Sequence, residues 1–283
     1  MANANALEAD WLTACRRAVT GVRAVLEDHP TTRERAVETG RGEGGDQALV
    51  IDRAAEDAVF AELDRLHAEG HRFRAISEER GEVDYGDGRV CVVIDPIDGS
   101  MNAKRGLPHH ALSIAVANGD TMADVDFGYV YDFGPSEEWT ARRGRGARRD
   151  DRLLDPPQER RDRAGRLELL AVESADPSYV AQAGNSLRAC AHRLRAIGSI
   201  AISMCQVAET RVDGMVTLWR CRAVDVAAAQ LIVRESGGRV EFTAFEDPLD
   251  APLDLLPHSA VIAARGERGL ADLRPVPLRQ RHR

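Results

Sequence analysis

The sequence predicts an α/β protein, and three observations carry that expectation. From Arg166 to Ala264, strand-like and helix-like patterns alternate, the order expected of an α/β layout. Ahead of that region, two amphipathic helical stretches precede four short apolar segments of strand character. The chain has 283 residues, of which 43% are hydrophobic, enough for a sizeable core in one large domain or two fused halves.

Taken in order, Leu7 to Glu27 reads as an amphipathic helix, with Trp11, Cys15, Ala18, Val22, Val25 and Leu26 at i, i+3/i+4 spacing. Glu38 to Asp52 ("ETGRGEGGDQALVID") is glycine-rich at its centre. Arg53 to Glu69 is helical again, with Ala55, Val59, Leu63 and Leu66 on one face. "FRAIS" (Phe73 to Ser77), "RVCVVI" (Arg89 to Ile94), "ALSIAVA" (Ala111 to Ala117) and "FGYVYD" (Phe127 to Asp132) read as strands. Arg142 to Arg166 is dense in charge and contains Pro156-Pro157, so it reads as a surface hairpin and linker between halves. Beyond it come a strand ("RLELLAV"), a helix from Ser178 to Ala191, a strand ("HRLRAIG") and a helix from Ile200 to Thr210. A strand ("DGMVTL"), a helix from Val224 to Ser236 stopped by Gly237-Gly238, and a last strand ("SAVIAA") follow. The basic residues after Pro275 are expected to fray.

A formal net charge of -8 is a poor match to nucleic-acid binding, which rewards basic surfaces. Lys104 is the single lysine. No stretch approaches the roughly 20 apolar residues of a membrane helix. The N-terminus has no basic start and no uninterrupted apolar run, so a cytoplasmic protein without membrane association is expected. Cys15, Cys91, Cys190, Cys205 and Cys221 form no CxxC pair, and their odd number does not suggest a disulfide framework.

The chemistry gathers at "VVIDPIDGSMNAKRG" (Val92 to Gly106). An apolar run delivers Asp95-Pro96-Ile97-Asp98-Gly99-Ser100, two carboxylates three residues apart. Pro96 cannot continue a ladder, so the strand is expected to end at Asp95. Gly99 allows close backbone approach, and Ser100 suits a helix cap. An ordinary turn would use the same residues. Other acidic residues hold similar places: Glu78-Glu79 beyond "FRAIS", Asp52 after "ALVI", and Asp225 at the start of "DVAAAQLIV". Helix capping and the helix dipole would favour Asp52 and Asp225 on their own. Oxygen ligands without histidine or cysteine partners suit Mg²⁺, which commonly binds through few carboxylates plus substrate phosphate.

"DPIDGSMN" (Asp95 to Asn102), preceded by "ISEERG" (Ile76 to Gly81) and followed by "VDVAAAQLIVRESGG" (Val224 to Gly238), resembles the inositol monophosphatase family. These are magnesium-dependent, lithium-sensitive phosphatases related to fructose-1,6-bisphosphatases. The resemblance spans roughly Gly40 to Gly238, and the "NAKRG" and "RCRAVDVAAA" stretches look more like the bacterial and archaeal branches. It implies a layered αβαβα sandwich of the sugar-phosphatase type. The α+β half, residues 1–150, would carry most metal ligands, and the α/β half, residues 151–283, would carry Asp225 and the substrate side. By the same resemblance Glu78, Asp95 and the Ile97 carbonyl would hold one Mg²⁺, and Asp95, Asp98 and Asp225 a second. A third, weaker ion would rest on Glu78, with Glu79 behind the ligands. Asp52, Glu78 and Ser100 would orient the attacking water, while Asp98, Gly99 and Ser100 would meet the substrate, the Gly99 and Ser100 N–H groups taking the phosphate.

The implied activity is hydrolysis of inositol monophosphate or a related small sugar or polyol phosphate by metal-activated water, in a homodimer. Alternatives are a fructose-1,6-bisphosphatase, a 3′-phosphoadenosine-type nucleotidase, or a non-catalytic regulator of the same fold that binds a protein or RNA partner. A nucleotidase would want a stacking pocket, and aromatics are only 5% of the chain. The full set of metal carboxylates speaks against a regulator, as the negative charge does against RNA. Four positions depart from the family pattern: Ser77 for glycine, Val224 for tryptophan, Arg41 for lysine, and Leu218 for a glutamate that grips ring hydroxyls. Leu218 implies a loosened inositol preference, and Val224 a reshaped pocket wall. His109-His110 are read as strand-edge or pocket-rim residues ahead of metal ligands. Lys104, Arg105, Arg220 and Arg222 either touch substrate or form solvated charge pairs.

Overall fold

The first helix starts where Asp10 accepts a hydrogen bond from the Thr13 N–H at 3.1 Å, giving α1 (Trp11–Asp28) a capped start. The computed structural model describes residues 5–45, 47–86, 88–156 and 158–278; residues 1–4 and the tail from 279 onward, most of the segment expected to fray, lie outside the described residues. Next come α2 (Thr32–Arg35), the hairpin β1 (Glu38–Arg41) and β2 (Gln47–Leu49), and α3 (Val50–Ala68). Then follow β3 (Arg74–Ser77), β4 (Gly81–Asp84), β5 (Val90–Asp98), α4 (Ser100–Arg105), β6 (Ala111–Asn118) and β7 (Val125–Asp132). The strands β8 (Glu137–Arg142), β9 (Ala147–Arg149) and β10 (Arg152–Leu153) complete an eight-stranded sheet of order β10-β9-β8-β7-β6-β5-β3-β4.

The rest of the chain forms β11 (Leu167–Glu173), α5 (Pro177–Cys190), β12 (Ala191–Arg195), α6 (Ile200–Ala208), β13 (Gly214–Thr217) and α7 (Ala223–Glu235). It ends with β14 (Arg239–Phe242), β15 (Val261–Ala264) and α8 (Glu267–Leu273). Its sheet has the order β12-β11-β13-β15-β14, with β11 parallel to β12 and β13, and β15 antiparallel to its neighbours.

Three cores hold these elements in five layers. α1 and α3 pack on one face of the large sheet and bury Trp11, Phe60, Phe73 and Tyr129. α6 and α7 fill the space between the sheets, where Trp139, Met204, Leu231 and Ile232 meet. α5 and α8 cover the outer side of the small sheet over Leu167, Leu187 and Leu273. The order is α, β, α, β, α, the layered sandwich expected. α7 is buried at every residue from Ala223 to Val233, as a helix between two sheets must be. β5 is buried along its whole length because α3 covers one face and α7 the other, which explains its unbroken apolar run.

Several details depart from the sequence expectation. β5 does not stop at Asp95: pairing runs to Asp95↔Ser113, shifts register, and resumes at Asp98↔Ala111. Pro96 falls inside that irregularity, where its missing donor disturbs no regular ladder. α3 begins at Val50, ahead of Arg53, which puts Asp52 in its first turn. β4, β8, β14 and α8 were not anticipated. β8 carries its acids within the sheet because neighbours neutralise them: Glu137 meets Arg149 across the sheet at 2.8 Å. The charged segment after Arg142 does form a hairpin, with Arg152 opposite Arg149, and it extends the large sheet.

Candidate active site

Four segments converge at one end of β5. Gly99 turns the strand into α4 with φ 89°, a left-handed conformation that glycine adopts without strain. A Cβ there would meet the Gly198 carbonyl at 2.9 Å and the His109 carbonyl at 3.0 Å. Gly99 is therefore the cap, and Ser100 the first residue of α4. The β3–β4 turn delivers Glu78 and Glu79, the first turn of α3 delivers Asp52, and the first turn of α7 delivers Asp225. Together with Asp95, Ile97, Asp98, Gly99, Ser100 and Arg222 they line one cleft.

Asp52 and Asp225 occupy equivalent positions. Each is the third residue of its helix and accepts the N–H three residues back, Leu49 at 3.0 Å and Arg222 at 2.8 Å. Capping therefore spends one oxygen of each and leaves the other facing the cleft. Asp52 Oδ1 is buried with no hydrogen-bond partner, as is Glu79 Oε2. Glu78, Asp95 and Asp225 each offer an oxygen, and these three lie within 4.8 Å of one another. Asp98 lines the same cleft but is held by the second half of the chain: its Oδ2 accepts from Ser199 Oγ and, at 2.7 Å, from the Ala201 N–H at the start of α6.

Crowding and burial push these acids up. Asp95 is raised well above the usual carboxylate range by burial, then by Glu78, Asp98 and Asp225. Asp98 is pushed up to about 7, chiefly by burial. Burial also raises Glu79 to about 7, with Glu78 adding to it, and Asp52 to about 6. Unpaired buried oxygens among mutually repelling carboxylates mark a site that fits a divalent cation. By contrast, the cleft beside Leu153 and Leu154 pairs Arg149 with Glu209 at 2.9 Å.

Two contributors escaped the sequence reading. Glu56, 2% exposed on α3, ties down the turn that carries Glu78. It accepts from Ser77 Oγ and from the Glu79 and Arg80 N–H groups at 3.2 and 3.1 Å, and pairs with Arg80. Its spacing of four residues from Asp52 on one helix was the available signal. Arg222, left open between substrate contact and solvated charge, lies inside the carboxylate cluster, 2.8 Å from Glu78 and 3.1 Å from Asp225. The glycine-rich β1–β2 loop closes over the same place, with the Gly44 N–H donating to the Glu78 carbonyl at 2.8 Å.

The inositol monophosphatase family profile matches residues 8–276. The chain belongs to the inositol monophosphatase family. It is 37% identical to the Nus factor SuhB of Pasteurella multocida over 199 residues, covering 69% of this chain and 71% of that one. It is 33% identical to an inositol-1-monophosphatase of Mesorhizobium japonicum over 230 residues, 77% and 78% of the two chains. The crystal structure of the extragenic suppressor protein suhB from Bartonella henselae superposes with a TM-score of 0.77 at 25% identity, covering 94% of this chain and 97% of that one.

Within the inositol monophosphatase frame, the four departures resolve differently. Ser77 is buried and donates to Glu56. Val224, 1% exposed, belongs to the central core and does not line the cleft, so it does not reshape the wall as expected. Leu218 is likewise no wall residue: it is fully buried in the outer core with Val216 and Ile262. Its apolar side chain is drawn to that core, away from the acidic cleft. Arg41 donates to the Gly45 carbonyl at 2.7 Å, within its own loop. His109 bonds Asp132 at 2.8 Å and His110 stacks on Phe133, and neither joins the carboxylate cluster. Lys104 lies close enough to Asp52 to lower its pKa against the effect of burial, whereas Arg105 is exposed and Arg220 sits over the Trp219 ring.

Proposed function

We propose that this protein is a Mg²⁺-dependent phosphomonoesterase acting on a small sugar or polyol phosphate, with inositol monophosphate among its substrates. The observation that carries the reading is the convergence of Glu78, Asp95 and Asp225 beside the unpaired oxygens of Asp52 and Glu79. An all-oxygen donor set without histidine or cysteine suits Mg²⁺. Glu78, Asp95 and the Ile97 carbonyl would hold one ion, and Asp95, Asp98 and Asp225 a second. Bound magnesium supplies a more acidic water and neutralises charge on the phosphoryl oxygens.

The chain's own residues then do the rest. Asp52, Glu78 and Ser100 orient water toward the phosphorus, and the backbone N–H groups of Gly99 and Ser100 position the phosphate. Glu79 supports the ligands from behind. Asp98 spans the two halves, residues 1–150 and 151–283, because α6 holds its other oxygen. No covalent nucleophile is required.

Among the described residues, no helix is long and apolar enough to cross a membrane. The same reading makes the protein a cytoplasmic homodimer, which light scattering tests. It also makes it lithium-sensitive, with inhibition close to uncompetitive. The decisive assay measures phosphate release with and without magnesium from inositol monophosphates, fructose bisphosphate, histidinol phosphate and phosphoadenosine. Magnesium-dependent release from sugar or polyol esters is expected, and no release from any ester would overturn the reading. The similarity to a protein named a Nus factor favours one second reading, a regulatory role through a partner. That role would leave the cleft silent in the same assay.

A further inference from the structure

We propose that Arg222 is a built-in counter-cation of the metal site, which bridges Glu78 and Asp225 while no ion is bound and must leave their oxygens before a divalent cation takes them. The proposal rests on the magnesium reading above. Its Nη1 lies 2.8 Å from Glu78 Oε1 and its Nη2 lies 3.1 Å from Asp225 Oδ1. Both acids belong to the group of three whose oxygens converge, so the guanidinium and a cation would compete for the same carboxylates. Only 15% of the side chain is exposed, so its attraction to the acids is weakly screened.

The residue type matters. A guanidinium is planar and permanently charged, and its separate N–H groups can serve two carboxylates at once; an ammonium is a point charge. The chain also builds room for it. A Cβ on Gly44 would lie 2.8 Å from Arg222 Nη1 and 3.1 Å from Glu78 Cγ, so a bare backbone at the loop tip leaves the space the guanidinium needs. The backbone of Arg222 is fixed as well, because its N–H donates to Asp225 Oδ2 at 2.8 Å. The side chain thus reaches back over an anchored helix start.

Two consequences follow. Arg222 keeps the metal-free site from being torn by its own repulsion, and it sets metal affinity below what the carboxylates alone would give. The test is calorimetric titration of Mg²⁺ into the full chain stripped with a chelator, with the melting temperature of the stripped protein recorded alongside. Arg222→Met is expected to bind Mg²⁺ about tenfold tighter, equivalent to about 1.4 kcal/mol. It should also melt earlier without metal and gain more on adding it. Arg220→Met removes an equal charge from an exposed position nearby and should match wild type in both readings. Arg222→Lys keeps the charge without the fork and should tighten binding by less than Arg222→Met. If Arg222→Met cannot be purified folded, Arg222→Lys decides alone, and a wild-type Kd in it overturns the proposal. Unchanged Kd and melting temperature in Arg222→Met would also overturn it, as would equal tightening in Arg220→Met, which would reduce the effect to a general field. No Mg²⁺ binding by any of the proteins would overturn both this proposal and the magnesium reading.

Discussion

Asp213 and Asp52 are both buried carboxylates, 2% and 7% exposed, and their oxygens meet opposite surroundings. In the second half of the chain, Asp213 Oδ1 accepts from the Arg160 N–H at 3.0 Å and pairs with Arg265 at 3.1 Å, while Oδ2 accepts from the Leu169 N–H at 2.9 Å. Asp52 has one donor, the Leu49 N–H, and its Oδ1 has none. Burial is the same and satisfaction is different. A buried acid with both oxygens answered holds the fold; a buried acid with an unanswered oxygen, among other acids, fits a cation.

The largest expected effects separate these two kinds. Asp225→Asn keeps the size and the cap acceptor but removes a charge from the cluster. Turnover is expected to fall about 10²–10³-fold, the scale of losing one preorganised electrostatic contact, with little loss of stability. Asp213→Asn should do the reverse, costing about 3–5 kcal/mol by leaving Arg265 without its partner charge, with turnover per folded molecule unchanged. Chemical denaturation beside saturating-magnesium kinetics reads both, and near-wild-type turnover in Asp225→Asn would break the contrast. Leu218→Glu belongs with Asp213. It would bury a charge among Val216 and Ile262, so several kcal/mol of stability should be lost, with no shift in substrate preference among molecules that fold.

The elements of the site were legible because their signals are local. "DPIDGS" announces a strand end, a turn and two acids, and Asp225 opens an apolar helix. The α/β order of the second half was legible from the alternation of strand and helix patterns after Arg166, whereas the five layers were implied only by the family resemblance. What stayed hidden depends on contacts between distant segments. Arg222 reads as one charge among many until Glu78 is brought beside it from the first half. Glu56 reads as an ordinary helix-surface acid until the β3–β4 turn folds over it. Leu218 shows the converse, since the resemblance placed it where a glutamate grips substrate and the packing of the outer core drew it away. Pro96 misled through a sound rule, because a register shift lets a strand survive a residue that cannot donate.

The comparison sharpens further with pH. Asp52 is raised to about 6 and Glu79 to about 7, in both cases mainly by burial. An acid whose folded pKa exceeds its unfolded value of about 4 contributes stability that is fully present below pH 4. That stability is lost as pH rises through 6 to 7. Metal-free protein should therefore melt earlier at pH 8 than at pH 5, with Asp52 alone contributing about 1.4 kcal/mol. Magnesium should remove most of that difference by answering the unpaired oxygens. A melting temperature that rises from pH 5 to pH 8 in chelator would contradict the crowding on which the site reading stands.

The smallest effect concerns an acid that lies between the two kinds. Glu56 is buried beside the site, raised by burial, yet answered by Ser77, Glu79 and Arg80. Ser77 stands where the resemblance leads one to expect glycine, so its hydroxyl is an added donor beyond the backbone ones. Ser77→Ala deletes that donor and leaves Glu56 with the Arg80 guanidinium and two N–H groups. The expected cost is about 1 kcal/mol, the usual net size of one intramolecular hydrogen bond. Mg²⁺ affinity and turnover should hold within about twofold, because the backbone donors still fix the turn that carries Glu78. Glu56→Ala removes the whole anchor and should weaken Mg²⁺ binding as well as stability. If Ser77→Ala loosened Mg²⁺ as much as Glu56→Ala, the hydroxyl itself would be positioning Glu78, and Ser77 would belong with the site's working residues, apart from those that hold the fold.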